Sequence, residues 1–160
     1  MAEHPIDTSA VRAWQDVPPG RLVGRGHPAG DFLRAHEWDL LEQSYGLLRI
    51  EAALHDHLKN PMGQLFGGFT PTYVDMVALF TVHAGENRSA EHRRWLATTN
   101  MRVDYFEPIT GPRFVMESKL EKRRGRTCFV STRFLQDGEL AVYALTTIRE
   151  VDLNRSLGDA

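Results

Sequence analysis

Apolar residues occupy nearly every side of one predicted helix, which lies in the stretch from Asn60 to Gly85. Thr70 is the expected N-cap and Pro71 the first helical residue, because both suit a helix start. A helix that is apolar on nearly every side is normally buried. Asp75 is the one carboxylate among its apolar residues, and burying an unpaired charge is costly. The pattern therefore predicts a central helix whose acid has a function. The apolar residues are Tyr73, Val74, Met76, Val77, Ala78, Leu79, Phe80 and Val82.

The rest of the chain is richer in strand patterns than in helix patterns. Asp31–Ser44 is predicted to be a short helix, with Trp38 among its apolar residues. The dipeptides Arg124-Gly125 and Asp137-Gly138 are turn signals that join neighbouring strands as hairpins. The predicted strands, chosen for alternation and turn boundaries, are Tyr45–Leu54, Trp95–Phe106, Arg113–Lys122, Thr127–Gln136 and Glu139–Val151.

The order of these elements predicts an α+β fold. One strand, a long buried helix and four antiparallel strands fit a curved sheet wrapped around the helix, which is the hotdog fold. We expect a single domain over residues 31–152, because 160 residues suffice for one core. Residues 1–30 are rich in proline and glycine and are predicted to form a loose arm, and residues 153–160 a tail.

Composition excludes several classes of function. The formal net charge of −2 gives no indication of a nucleic-acid partner or an anionic membrane surface. No apolar run approaches the roughly 20 residues that span a bilayer, and the N-terminus lacks a signal-peptide pattern. Cys128 is the single cysteine, which indicates a reducing compartment. We therefore expect a soluble cytoplasmic protein.

Two histidines, His55 and His57, have a spacing that can ligate a metal ion. Nothing near them in sequence supplies a convincing third ligand. We favour a polar strand end or loop at this position, and we expect neither a metal nor a redox cofactor.

The stretch before the helix carries a motif of asparagine, glycines and a helix aspartate. It resembles the signature of the hotdog-fold acyl-CoA thioesterases of the phenylacetyl-CoA thioesterase (PaaI-like) family. The resemblance continues through Thr98–Pro108 and the last two strands, so that it covers about two thirds of the chain. One position departs from the family, because Phe66 replaces its usual histidine. The matching positions are Asn60, Gly63, Phe66, Gly67, Gly68 and Asp75.

The resemblance implies catalytic roles for four residues. The amide of Gly67 would donate to the oxyanion, and Asp75 would act as general base or as nucleophile. Asn60 would help to place the thioester or the water, and Thr98 would assist the water. In a regular strand Thr98 shares a face with Asn100, while Thr99 points the other way. Asn60 and Gly67 also have plain structural readings, as a turn residue and as a site of close packing.

Five further residues are expected to contact the substrate. Gly63, Phe66 and Gly68 lie in the loop before the helix. Arg124 and Arg126 lie in a basic turn, where guanidinium groups suit the phosphates of coenzyme A. A solvated hairpin explains this turn equally well. Acyl-CoA is therefore the expected small-molecule partner.

The spacing of Gly67 and Asp75 favours a dimer. Eight positions would span about 12 Å if the segment were helical, so one thioester carbon does not readily meet both within a chain. The family builds composite sites between two subunits, which implies an obligate homodimer and leaves pairing into a tetramer open.

Two other functions fit the same fold. Phe66 favours a non-catalytic module that binds acyl-CoA or an acyl carrier, because the usual polar neighbour is missing. A dehydratase acting on hydroxyacyl thioesters pairs a histidine with an acid, and no histidine occupies the loop before the helix. The sequence leaves the acyl group open among aromatic, short-chain and medium-chain thioesters.

Overall fold

The structure is a computed structural model, which describes residues 17–84 and 95–151. Two α-helices, α1 (Pro28–Phe32) and α2 (Thr70–His83), are accompanied by 3-10 turns at Ala35–Glu37 and Asp56–Leu58. None of the helices in the described ranges is long and apolar enough to cross a bilayer. The strands are β1 (Asp39–Ser44), β2 (Leu47–Ala53), β3 (Trp95–Tyr105), β4 (Arg113–Arg124), β5 (Thr127–Gln136) and β6 (Glu139–Val151).

The six strands form one antiparallel sheet in the order β1-β2-β4-β5-β6-β3. The central helix α2 packs against one face of this sheet, with contacts to β2, β3, β4, β5 and β6. The α+β hotdog fold predicted from the element order is therefore confirmed. Strands β5 and β6 have the predicted bounds. The turn at Asp137-Gly138 ends β5 and precedes the start of β6.

The core lies between α2 and the face of the sheet that the helix covers. Tyr73, Val74 and Val77 are fully buried on the helix, opposite Phe114 and Phe134 of the sheet. The ring of Tyr73 meets that of Phe114 edge-to-face at 5.4 Å between centroids. Burial raises the pKa of the Tyr73 phenol well above its ordinary value, so this side chain stays neutral. Tyr73 therefore belongs to the core.

The predicted helix over Asp31–Ser44 is wrong. Only α1 and the turn at Ala35–Glu37 are helical there, and Asp39–Ser44 forms the edge strand β1. The hairpin to β2 turns at Gly46, whose φ of +65° favours glycine. Pairing with β2 therefore outweighs the local helical pattern.

Part of the N-terminal segment contributes to the core. Leu22 and Val23 are buried, and Arg21 Nη1 lies 2.5 Å from Asp39 Oδ1 at the start of β1. Residues 17–30, which we expected to belong to a loose arm, are thus held against the domain where the structure describes them.

The start of the central helix also differs from the expectation. Thr70 is its first residue, and Phe69 is the N-cap without a side-chain hydrogen bond. The prediction of Thr70 as the N-cap is therefore wrong, because Thr70 already lies in the first turn, where it is buried.

Candidate active site

The carboxylate of Asp75 lies at the open edge of the sheet. Asp75 is half-buried in the second turn of α2, on the side of the helix that faces β3. The hydroxyl of Thr98 on β3 donates a hydrogen bond to Asp75 Oδ1. Because β3 is the last strand of the sheet, this pair lies where no further strand of the described chain covers it.

An irregularity in β3 places Thr98 on the helix side of the sheet. The register shifts between Thr98, opposite Ile148, and Asn100, opposite Thr147. A bulge of this kind adds one residue to a strand and changes its alternation. Thr98 consequently shares the helix side with Met101, not with Asn100, and the face predicted from regular alternation is wrong.

The loop before α2 is organised by the side chain of Asn60. Its Oδ1 accepts hydrogen bonds from the amides of Met62 at 2.9 Å and Gln64 at 3.1 Å. Gly63 has a φ of +76°, which permits the tight turn between them. Asn60 Oδ1 is therefore committed to the loop, as expected for an asparagine–proline turn. A contact from Asn60 to Asp75 is not found among the described residues.

The amides of Gly67 and Gly68 have fixed directions. The carbonyl of Phe66 accepts from the Phe69 amide at 2.9 Å, and the carbonyl of Gly67 accepts from the Tyr105 hydroxyl at 2.7 Å. In a trans peptide the N–H points opposite to the C=O of the same plane. Fixing these two carbonyls therefore orients the two amide groups. Within residues 17–84 and 95–151, neither glycine amide donates a hydrogen bond.

Tyr105 is a site residue that sequence reasoning missed. It lies at the end of β3, and it is half-exposed while its hydroxyl holds the Gly67 carbonyl. The bulge puts Tyr105 on the same side of the sheet as Thr98, and the alternation of β3 alone carries no signal of that change of face. Strand β3 thus contacts both the carboxylate of Asp75 and the backbone of the glycine pair.

Phe66 is an exposed aromatic wall beside the glycine pair. Its side chain is 48% exposed, and its ring meets Phe69 edge-to-face at 5.1 Å. A Cβ atom added to Gly68 would lie 2.7 Å from Phe66 Cε1. The absence of a side chain at Gly68 therefore allows the Phe66 ring to pack over the backbone.

The basic turn lies apart from Asp75. Arg124 and Arg126 are exposed in the turn between β4 and β5, and neither makes a contact with Asp75 among the residues described. Their neighbour Arg123 forms an ion pair of 3.2 Å with Glu150. The structure does not bring these arginines together with the glycine loop.

The two histidines of the predicted loop have structural partners. His55 Nε2 lies 3.3 Å from Glu37 Oε2, and His57 Nε2 lies 2.7 Å from the carbonyl of Phe32. A group of three or more metal-ligating side chains is not found in the described part of the chain.

Taken together, these elements supply a partly exposed carboxylate, a hydroxyl that orients it and a pair of unoccupied amides at a helix N-terminus. Oriented amides of this kind bind developing negative charge, since the positive end of the helix dipole lies beside them. A half-buried carboxylate can accept a proton from water. This chemistry suits attack on a carbonyl group.

Comparison with known proteins identifies the family. The family model for the thioesterase superfamily matches residues 62–142, which is just over half of the chain. The chain therefore belongs to the thioesterase superfamily. The family predicted from the loop and helix residues is thereby confirmed at the level of the superfamily. A search of curated proteins found no significant match.

Solved structures agree on the fold. A phenylacetic acid degradation-related protein from Ralstonia eutropha JMP134 superimposes with a TM-score of 0.64 at 23% identity, covering 78% of this chain and 92% of that one. Thioesterase superfamily member 2 from Mus musculus gives 0.64 at 19% identity, covering 77% and 89%. A hypothetical thioesterase from Streptococcus pneumoniae TIGR4, with coenzyme A, gives 0.62 at 14%, covering 72% and 86%. At these identities the likeness establishes the fold alone.

Proposed function

We propose that this protein hydrolyses the thioester of an acyl- or aryl-CoA to the free acid and coenzyme A. The observation that carries the proposal is the pairing of Asp75 with the Thr98 hydroxyl at the exposed edge of the sheet. Membership of the thioesterase superfamily supports the reaction class. The choice of coenzyme A as carrier draws support from the structural relative described with coenzyme A.

The proposed mechanism uses one carboxylate and one amide. The Gly67 N–H donates to the thioester carbonyl oxygen, which becomes negative as the tetrahedral intermediate forms. Asp75 removes a proton from the attacking water, the C–S bond then breaks, and the leaving thiolate takes that proton back to become the thiol. In the alternative route Asp75 attacks the carbonyl itself, expels the thiolate and forms an anhydride that water hydrolyses. Both routes require the same two groups.

The proposed active site is shared between two subunits. Strand β3 is an open edge of 11 residues, and Trp95 and Tyr105 on it are large exposed side chains. An unpaired edge of that length is suited to pairing with a second chain. A two-fold axis beside β3 would bring Gly67 of one subunit towards Asp75 of the other. The proposed state is a homodimer, alone or paired with a second dimer as a tetramer.

The reaction is tested by thiol release from a panel of acyl-CoA substrates. The panel includes aromatic, short-chain and medium-chain thioesters. We expect at least one thioester to be hydrolysed well above the rate without protein. Absence of thiol release from every substrate, with the protein folded, would contradict the proposal.

A second candidate is a non-catalytic acyl-CoA or acyl-carrier binding protein. Phe66 favours it, because an apolar ring stands beside the glycine pair where the family has a histidine. This candidate predicts that acyl-CoA raises the melting temperature without release of thiol. Phe66→His would then be the first substitution to test for recovered hydrolysis. Turnover by the unmodified protein that depends on Asp75 would reject this candidate.

A further inference from the structure

A pocket lies outside the site described above. It has a volume of about 420 Å³ and is open to solvent. The segment around α1 supplies most of its wall, and the turn at Asp56–Leu58 supplies the rest. The lining residues are Arg25, Asp31, Phe32, Arg34, His36 and His57.

The lining of this pocket has a cationic group without a partner. Arg34 is occupied, because its Nε donates to Glu37 Oε1 at 3.0 Å. Asp31 accepts from the Gly26 amide at 3.1 and 3.2 Å. Arg25 makes no hydrogen bond or ion pair to any residue in the described ranges. Of the two arginines in the lining, Arg25 therefore has the free guanidinium group.

Glu37 keeps Arg34 in place. Burial alone would raise the pKa of Glu37, but the hydrogen bond and charge of Arg34 outweigh it and hold the pKa below its ordinary value. Burial, and then the charge of Arg34, lower the pKa of His55, which lies on the same carboxylate. Glu37 therefore remains ionised and neutralises Arg34, while Arg25 stays available.

The pocket is a built feature of the fold. Leu33 and Ala35, on either side of Arg34, are fully buried and anchor the wall to the core. Arg34 itself adopts φ 52° and ψ 40°, a left-handed conformation that costs a non-glycine residue about 1 kcal/mol or more. The two ring nitrogens of His36 lie 3.9 and 3.5 Å from two neighbouring carboxylate oxygens. The buried residues on either side therefore hold the Arg34 backbone in a conformation that has an energetic cost.

A row of aromatic rings joins the pocket to the glycine loop. The ring of Phe32, in the pocket, meets Phe69 edge-to-face at 5.1 Å. Phe69 in turn meets Phe66 at 5.1 Å, and Phe66 directly precedes Gly67. These two ring contacts link the residue before Gly67 to the wall of the pocket.

We propose that this pocket binds an anionic group of the thioester substrate, with Arg25 as the principal charged contact. The part of the substrate between the thioester and this anionic group would lie along the rings of Phe66, Phe69 and Phe32. The inference rests on the proposed thioesterase function. The anionic group is a carboxylate at the far end of the acyl chain or a phosphate of coenzyme A, which present the same chemistry to a guanidinium group.

The test compares Arg25→Gln with Arg133→Gln. Both arginines are exposed, and Arg133 lies on β5 with Glu117 as its partner, which makes it the matched control. Affinities are measured on proteins that also carry Asp75→Asn, so that binding is read without turnover. The ligands are benzoyl-CoA, 4-carboxybenzoyl-CoA and benzoyl-pantetheine, which lacks the nucleotide.

Loss of a charge-assisted contact predicts that Arg25→Gln weakens binding of the anionic ligand by about tenfold or more, while Arg133→Gln has little effect. A loss confined to 4-carboxybenzoyl-CoA assigns the pocket to the acyl group. A loss for both CoA esters but not for benzoyl-pantetheine assigns it to the nucleotide phosphates. Equal affinities in the Arg25 and Arg133 variants for all three ligands would overturn the proposal.

The same design separates this inference from the proposed function. If the wild-type protein hydrolyses no thioester but Arg25→Gln still weakens binding, the binding role of the pocket is supported and the thioesterase mechanism is contradicted. If hydrolysis occurs and Arg25→Gln binds as the control does, the mechanism is supported and the binding role of the pocket is contradicted.

Discussion

At the scale of single residues, the contact between Thr98 and Asp75 defines the candidate site. The hydroxyl donates to one carboxylate oxygen, Oδ1. The other oxygen, Oδ2, has no hydrogen-bond partner among the described residues and is available to a water molecule. Orientation of a base by a neighbouring donor is a general means of fixing its geometry for proton transfer.

This contact predicts the effect of removing the hydroxyl. Thr98→Val keeps the branched shape but loses the donor, so the carboxylate is free to rotate. We expect kcat for thioester hydrolysis to fall about tenfold, the size of a charge-assisted hydrogen bond, with a smaller change in KM.

The matched variant is Thr98→Ser, which keeps the hydroxyl and should retain most of the wild-type kcat. Steady-state kinetics of the two variants side by side make the comparison. A Val variant as active as the Ser variant would show that the hydrogen bond has no part in catalysis.

The sequence predicted Asp75 and Thr98 as site residues, and the structure places them in contact. It did not predict the face of Thr98 or the contact of Tyr105 with Gly67, because both depend on the bulge in β3. A bulge is a pairing irregularity between two strands, so it leaves little trace in the alternation of one strand. The catalytic roles of Asn60 and Gly67 remain predictions.

At the scale of elements, the hairpin between β1 and β2 requires a residue without a side chain in its turn. Gly46 lies in its turn with a φ of +65°. Its carbonyl accepts from the Leu120 amide at 2.7 Å, and an added Cβ would lie 3.0 Å from Leu120 Cβ. Gly46 thus satisfies a backbone requirement and a packing requirement together.

Gly46→Ala is therefore expected to destabilise the protein more than Gly125→Ala. Gly125 has a similar φ of +57° but nothing within 4 Å of its added Cβ, so it isolates the backbone cost. We expect about 1 kcal/mol for Gly125→Ala and a clearly larger loss for Gly46→Ala. Urea unfolding measures both, and equal losses would refute the packing role of Leu120.

The elements differ in how far the sequence determines them. Strands β5 and β6 were predicted because turn dipeptides, among them Asp137-Gly138, bound them locally. The structure of residues 31–44 was not predicted correctly, because the strand at Asp39–Ser44 is stabilised by its pairing with β2. Local propensity is a weak guide at such an edge.

At the scale of the whole molecule, the sheet ends at the strand that carries the candidate site. Thr98 and Tyr105 both lie on β3, whose outer edge has no strand beside it in the described chain. The proposed dimer would pair this edge and complete the site. Sedimentation at assay concentration tests that state, and an active species with the mass of one 18.2 kDa chain would contradict it.

The most direct test of the account is thioester hydrolysis by the wild-type protein beside Asp75→Asn. Asp137→Asn is the matched control, because Asp137 is an exposed aspartate in the turn between β5 and β6, apart from the site and the pocket, and asparagine tolerates its φ of 52°. Both variants should have the oligomeric state of the wild type. We predict that Asp75→Asn loses at least about a thousandfold in kcat/KM, as expected for loss of a general base or nucleophile, whereas Asp137→Asn stays close to wild type. Hydrolysis by Asp75→Asn at the wild-type rate would contradict the central claim.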